Sequence, residues 1–403
     1  MKQDSKETKQ YKDMGSYFEL IEKYCLKDNL STYDPYDIWK TKFGFRVKDF
    51  YNSHRLFGLF PAGTFTVFDM FINNNRRSFY SKQEYPIVRA MAALSLMNLY
   101  RIKREDNYLI YARKHVEWLA SNYCSGYKGA GWGLHFNYAV SKNFHYDKNT
   151  PFSTMTPYCL EALLEYQNIT GDTIYESLFA KVFTFFNEDL IVMDENEESM
   201  ALSYVPKRDR VVVNASSYSM YAFAILLSHL TGDLKAQTVA KITKLYKYVQ
   251  NNQRDDGAWF YSPEGKSFID CFHTCIVLKN LIKANRIISL DGCSDIVHKG
   301  YEYILREFLD SKEYLFKRFS VSNKPGLVKY DLYDNAEVLN LAILMQDWDL
   351  VHKLSDSIEM KFIKNEIIYS QIDFLGVKRN PDMFRWAIMP YVYALSQIRF
   401  QEQ

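Results

Sequence analysis

The sequence predicts an all-α fold, an (α/α)6 toroid in which six helical hairpins form two concentric rings with their long loops gathered on one rim. Three observations predict it. Helices that are apolar nearly all round alternate with amphipathic, charged ones; the apolar helices start 69, 60, 56, 61 and 53 residues apart; and a long segment precedes each apolar helix after the first. A helix apolar on every side must be enclosed, and an amphipathic helix can shield it from water, so six such pairs close into a ring within a ring.

In chain order, the apolar helices begin near Tyr85 (PIVRAMAALSLMNLY), Thr154 (TMTPYCLEALLEYQNI), Asn214 (NASSYSMYAFAILLSHL), Asp270 (DCFHTCIVLKNLI), Asp331 (DLYDNAEVLNLAIL) and Phe384 (FRWAIMPYVYALSQI). Charged helices are expected near 108–124, 173–190, 234–250, 294–309 and 348–362, with a sixth near 14–28 or 62–75. Residues 31–403 then form one toroid behind an N-terminal extension, 1–30. In NITGDTIYES and HLTGDLKAQT, Gly171 and Gly232 suit the left-handed position after a helix, and Asp172 and Asp233 suit the cap of the next. Strand signals are confined to 202–207 and 211–213. The loops 125–153, 191–213, 251–269, 310–330 and 363–383 all precede an inner helix, and loops collected on one face build a pocket.

Lys and Arg total 50 against 48 acidic residues in 403, a balance of +2 that gives no reason to expect a nucleic-acid footprint or an anionic membrane partner. Six cysteines without a CxxC pair suit reduced thiols in a cytoplasm. The N-terminus lacks an apolar signal region, and no run approaches about 18 apolar residues. A cytoplasmic protein without a transmembrane segment is expected, with membrane contact at most peripheral. No cofactor is expected.

The densest set of reactive and stacking side chains is QRDDGAWFYSPEGKSFIDCFHTC at 253–275, with Asp256, Trp259, Tyr261, Asp270 and His273. An acid, an imidazole and aromatic rings at the mouth of a helix suit a polar ring such as a sugar. His273 is the candidate acid–base group, Asp256 or Asp331 its carboxylate partner, and Asp270 reads as an N-cap. Loop 125–153 offers Trp132, His135 and Asn137, and the next offers Tyr204, Arg208, Arg210 and Asn214, the last at a capping position. KYDLYDNAEVL supplies Tyr330, Asp331, Asp334 and Glu337, three acids on one helical face that either raise each other's pKa or form a cap and a solvated stripe. Arg385 and Trp386 open the last inner helix, where Arg385 either clamps an anion or pairs with an acid such as Asp37. Trp132, Trp259 and Tyr261 are the expected stacking surface. Cys271, His273 and Cys275 cannot converge on one metal ion, because helical neighbours two apart point about 200° from each other.

The ordered series YDPYD (33–37), GWGLHF (131–136), TPF and ALLEY (150–166), SYVP and VNA (203–215), NNQRDDGAWFYS with IDCFHT, DLYDNAE (331–337) and FRWAIMPYVYAL resembles the VpsJ-like polysaccharide biosynthesis proteins. The resemblance spans residues 30–400 and implies a six-hairpin toroid linked to bacterial capsule, exopolysaccharide or O-antigen assembly. QRDDGAW is also similar to the Q-x-x-x-G-x-W repeat of squalene and prenyltransferase toroids. GWGLHFNYA departs from the family's GWGYPFDWQ at Asn137 and Ala139, and Tyr333 stands where the family tends to carry histidine; Asp270, Phe272, His273 and Thr274 keep its D-x-F-H-T.

Three functions follow as expectations. The first is an epimerase, lyase or hydrolase acting on a saccharide or lipid-linked saccharide, beside other polysaccharide-synthesis proteins. The second is a non-catalytic glycan-binding or scaffold protein, and the third an isoprenoid cyclase or transferase, which lacks its D-x-D-D acid here.

Overall fold

A computed structural model describes residues 17–142, 144–208, 210–264, 267–322 and 326–401. The fold is the expected toroid. The inner helices are α5 (Pro86–Lys103), α7 (Thr156–Thr170), α9 (Val213–Leu226), α11 (Cys271–Ile287), α13 (Leu332–Met345) and α15 (Met389–Gln401). Each packs on the next, and α15 packs back on α5, so the ring is closed. Their character matches their place: in α9 every residue but Ile225 is buried. Outside them lie α6 (Asp106–Ser121), α8 (Glu176–Thr184), α10 (Gly232–Asn251), α12 (Cys293–Glu307) and α14 (Trp348–Phe362). In α12 the buried side chains Cys293, Ile296, Val297, Gly300 and Ile304 follow the three-to-four spacing of a single inward face.

The sixth outer helix is α1 (17–25), at the first of the two expected places. It sits beside the seam where the ring closes. Tyr17 bonds Ser355 in α14, Tyr24 meets Phe384 edge-on, and Glu22 takes Lys103 and Tyr108. Residues 1–16 of the expected extension lie outside the described residues.

Three further helices, α2 (Asp37–Lys40), α3 (Lys42–Ser53) and α4 (Arg55–Val67), form a unit that the repeat did not predict. A π-turn continues α4 to Ile72, and Arg55–Ile72 is long and apolar enough to cross a membrane by length and composition alone. No uninterrupted apolar run marks it in the sequence, because Gly58, Pro61, Gly63, Thr64, Thr66 and Asp69 punctuate the stretch.

The rim loops hold more strand than expected. They carry β1 (Tyr138–Ser141), β2 (Phe144–Tyr146), β3 (Val192–Glu195), β4 (Met200–Leu202), β5 (Ile269–Asp270), β6 (Leu309–Asp310), β7 (Leu315–Phe316), β8 (Phe319–Val321), β9 (Val328–Asp331), β10 (Ile363–Lys364), β11 (Ile367–Asp373) and β12 (Lys378–Pro381). Val211 to Val213 form no strand; they lead straight into α9. Neighbouring loops are tied in sequence. Ser153 N–H donates to Tyr204, Val213 N–H donates to Tyr261, β5 pairs β8 and β9 pairs β11. Thr32 joins the last loop to the first inner helix, bridging Gln83 and accepting from Phe384 N–H.

Gly171 takes the left-handed position after α7 as expected, and Asp172 caps the following turn through Ile174 N–H. Gly232 also has the left-handed φ expected of it, +55°, but it opens α10 behind the cap Thr231, so Asp233 is an acid of the first turn and no cap.

Two tryptophans expected in the pocket are rivets of the hairpins. Trp132 is fully buried and its Nε1–H donates to Leu119 O at 2.9 Å; Trp259 is buried too and donates to Val249 O at 2.9 Å. In both cases an indole anchors a rim loop to the C-terminal end of the preceding outer helix. Gly257 allows the approach: its φ is +99°, and a Cβ there would stand 2.3 Å from Lys299 O. Gln253 completes the Q-x-x-x-G-x-W stretch by donating to Gly257 O and Ile296 O. Replacing either Trp132 or Trp259 by Phe should therefore lower unfolding free energy by about 1–3 kcal/mol, through the stranded carbonyl, and leave ligand affinity within error. Urea melts beside a binding titration check this, and a loss of affinity without a loss of stability would return the indoles to the pocket.

Candidate functional site

The inner helices turn their N-termini toward the tied rim, and α11 and α13 bring the reactive groups. Asp270 stands at the N-cap of α11, yet its side chain makes no capping bond. Both of its oxygens instead lie 2.8 and 2.9 Å from His273 Nδ1. Asp270 is buried, so the imidazole donates Nδ1–H to it, and Nε2, with no partner among the described residues, is left for the cleft. The His273 ring is flanked by Phe272 at 3.9 Å and Tyr261 at 4.6 Å, and Tyr261 lies flat on Phe268.

Beside this pair is a buried acid cluster around Arg318. Asp331 caps α13 through Tyr333 N–H with one oxygen. Its other oxygen accepts from Arg318 (3.1 Å), Gln371 (2.9 Å) and Trp386 Nε1 (3.4 Å). Asp334 accepts from Phe272 N–H at 3.1 Å, tying α13 to α11, while its second oxygen is buried without a partner. Burial pushes the Asp334 carboxyl well above the usual range; Arg318 opposes this, but the charges of Asp331 and Asp270 add to it. Asp331 is also raised by burial, with Arg318 pulling the other way. Arg318 stays charged, because Tyr36 and the surrounding acids outweigh its own burial. Glu337, one turn deeper, pairs with Lys279 of α11. The three acids are therefore a buried array and no solvated stripe.

Trp386 stacks on Tyr333 at 4.7 Å and meets Phe272 and Tyr36 edge-on, which makes it the central aromatic of the cleft. Arg385 pairs with Asp34, and Lys40 pairs with Asp37. The segment 33–40 is thereby fastened to the start of the last inner helix, by Asp34 on Arg385 and Tyr36 on Trp386. Burial would raise Asp34, but Arg385 and Lys40 outweigh it and hold the carboxyl down to about 2. On the far wall, Lys48 donates to Tyr138 Oη at 2.6 Å, and burial lowers its ammonium to about 8. Arg210 lies over Tyr261 at 5.6 Å. An open groove of about 670 Å³ beside Arg286, His298 and Gln346 sits at the opposite rim, away from these groups.

Of the residues expected in the site, the structure brings together His273, Asp270, Asp331, Tyr261, Arg385 and Trp386. Others fall elsewhere. Asp256 is bound by Arg254 on the surface and touches no part of the His273 pair. Tyr330 turns away from the cleft to donate to Asp310. Asn137 is exposed and accepts from Lys148 N–H. His135 faces Trp118 of α6. Trp132 and Trp259 are sealed in the wall. Tyr204 packs with Tyr146 and Phe152, and its carbonyl serves the loop tie. Asn214 lies inside the first turn of α9, whose cap is Val212, and its Oδ1 is buried without a partner. Arg385 meets Asp34 and not Asp37, so it is not free to clamp an anion.

Sequence reasoning missed Arg318, Gln371 and Lys48. Only the placement of Arg318 and Gln371 in rim loops hinted at them. Asp34 had a signal in YDPYD.

Fold and site together define a class, a six-hairpin (α/α)6 toroid with an aromatic, acid-rich cleft on one rim. No protein-family model matches the chain, and no curated protein matches it in sequence. Solved structures do. A cellobiose 2-epimerase from Bacillus thermoamylovorans superposes with TM-score 0.59 at 13% identity, over 79% of this chain and 88% of its own. A family 76 α-mannanase from Bacteroides thetaiotaomicron covers 92% of this chain and 99% of its own with TM-score 0.58 at 10% identity. A family 88 glycosyl hydrolase from Bacteroides vulgatus superposes with TM-score 0.53 at 12% identity, over 81% of this chain and 95% of its own.

Two stability predictions follow from the buried acids. The raised pKa of Asp334 means that, above the unfolded value near about 4, the folded chain holds a proton the unfolded chain has lost. That contribution is present below about pH 4 and falls as pH rises toward the folded value. Asp334→Asn keeps the bond to Phe272 and removes the titration, so its stability relative to wild type should climb with pH by up to about 1.4 kcal/mol per unit. A difference that does not change between pH 5 and 8 in urea melts would contradict a proton on Asp334. Asp34 has the opposite sign: its stabilisation is present above about pH 4 and is lost as pH falls through about 2. Asp34→Asn should cost about 3–5 kcal/mol at pH 7, since it leaves Arg385 buried and unpaired, and much less near pH 2.

Proposed function

We propose that this protein binds a saccharide or lipid-linked saccharide in the rim cleft and acts on it by acid–base chemistry of the epimerase, lyase or hydrolase type. The carrying observation is the buried Asp270 holding His273 by Nδ1, which leaves Nε2 without a partner among the described residues. In this reading His273 Nε2 takes a proton from a ring carbon or hydroxyl, or returns one, and Asp270 steadies the imidazolium that forms. Arg318 faces charge that develops on the substrate, Asp334 offers a proton, and Tyr261 and Trp386 supply the stacking surface. Lys48 and Arg210 stand where a carboxylate or phosphate on the sugar would be met. The similarity of fold to carbohydrate enzymes supports a sugar as the ligand. The resemblance to VpsJ-like proteins supports a role in bacterial surface-polysaccharide biosynthesis in the cytoplasm, alongside other proteins of that process.

A second reading, a glycan-binding protein without turnover, is favoured by one observation: the charged groups are already paired within the protein, Arg385 with Asp34 and Asp331 with Arg318.

The test is incubation with neutral sugars, uronates and oligosaccharides in D2O. Deuterium exchange at carbon reports an epimerase, a new unsaturated ring a lyase, and new reducing ends a hydrolase. Expected is a product that His273→Gln reduces by about 100-fold or more and Asp270→Asn by a comparable factor, with ligand affinity kept within a few-fold. Binding without any product, unchanged by His273→Gln, would leave the binding protein standing. No binding of any saccharide would sink both readings.

A further inference from the structure

The helical hairpin α3–α4 carries an apolar surface that the cleft does not use. Along α4, Leu56 (80% exposed), Phe57, Leu59 and Phe60 (83% exposed) stand open, and Val67 and Ile72 continue the strip. Phe43 and Phe50 of α3 are exposed as well. Only 11% of Arg55–Ile72 is buried, against inner helices of comparable apolarity that are buried nearly throughout. Six large apolar side chains within 18 residues are far more than the single exposed ones normal to a protein surface.

The fully exposed charges between residues 42 and 82 are basic. Lys42, Arg46, Arg55, Arg76 and Lys82 are exposed, whereas Asp49 is held by His145, and Asp69 is buried against Tyr80. No exposed acidic residue lies between 42 and 82. The chain's balance of +2 hides this local cluster.

We propose that α3–α4 is an interfacial anchor that lays its apolar strip into the surface of an anionic lipid bilayer, with the flanking Lys and Arg at the headgroups. An apolar helical face rimmed by basic residues and lacking acids is the chemistry that such a surface recognises. The hairpin lies on the membrane and does not cross it, because both ends of α4 are fastened to the protein. At one end Gly58 packs so closely on Tyr51 of α3 that a Cβ would stand 2.3 Å from its Cα, and α3 is held to the β1–β2 hairpin by Lys48 on Tyr138 and Asp49 on His145. Beyond the other end, Asn74 and Asn380 exchange hydrogen bonds of 2.7 and 2.9 Å. Phe65, stacked on Trp39, holds the middle down.

The test is co-sedimentation of the full chain with phosphatidylcholine vesicles, with and without phosphatidylglycerol. Wild type is expected to sediment with the anionic vesicles and about tenfold or more weakly with the neutral ones. The variant Leu56→Ser/Phe57→Ser/Phe60→Ser should lose binding while keeping its circular-dichroism melt. Should that variant misfold, Lys42→Gln/Arg46→Gln/Arg55→Gln keeps the proposal testable, with binding expected to fall about fivefold for each charge removed at low salt. Wild type left in the supernatant with both vesicles, or a charge variant that binds as wild type does, overturns the proposal. So does a wild-type dimer by sedimentation equilibrium that the serine variant dissolves, which would assign the strip to a second copy. The readout is vesicle binding and not turnover, so failure here leaves the cleft's chemistry as it stands.

Discussion

The structure depends on closing the ring between α15 and α5. Five of the six contacts between inner helices join neighbours in the chain, and each is supported by the hairpin between them. The sixth joins residues some 300 apart in sequence, so closure entropy works against it and side chains must hold it. Thr32 does so by bonding both Gln83 and the start of the last inner segment, Asn98 donates to Ser396 at 3.0 Å across the two helices, and Arg385 meets Asp34 above them. Arg89 adds a second layer, reaching Glu84, His115 and the carbonyl of Asp28. If this seam opened, helices that are apolar all round would face water, and the outer ring would have nothing to shield.

Closure also explains where the polar groups sit. Charge within the inner helices finds partners, Lys279 with Glu337, Lys283 with Glu161 and Arg101 with Glu165, and at the N-terminal ends the rim loops supply further partners. Each acid there is tied down: Asp270 to His273 within its own helix, Asp331 to Arg318 and Gln371 of neighbouring loops, Asp334 to the backbone of α11. Buried charges of this kind stabilise little compared with an apolar core of the same volume. What the arrangement does supply is fixed geometry, with one imidazole nitrogen left open among groups that cannot rotate away.

The helices were legible because enclosure demands a sequence that is apolar on every face, and six repetitions of that demand leave a countable spacing. The N-terminal outer helix was legible only as one of two places. Side-chain direction in the loops was not legible. Trp132 and Trp259 are the same letters whether they point inward or outward; the glycine two residues before Trp259, needed for a close approach to α12, was the available sign that the indole packs inside. His273 and Asp270 were found as residues, but their pairing was hidden behind the expectation that Asp270 would cap its helix. Arg318 and Gln371 were missed because strand pairing sets their place: β9 pairs β11 so that Gln371 lies opposite Asp331, and no periodicity announces such a register.

Helix α3 links the two surfaces. On one side Lys48 and Asp49 reach inward to Tyr138 and His145 of the β1–β2 hairpin, on the wall of the cleft. On the other, Phe43, Arg46 and Phe50, spaced three and four apart, share a face turned outward. A helix held rigidly by 3.6 residues per turn cannot shift one of these faces without the other. Lys48 thereby joins the helix that carries the outward apolar face to Tyr138 of the β1–β2 hairpin. The interruptions that made α4 hard to recognise serve the same connection, since Gly58 permits α4 to lie against α3 backbone to backbone.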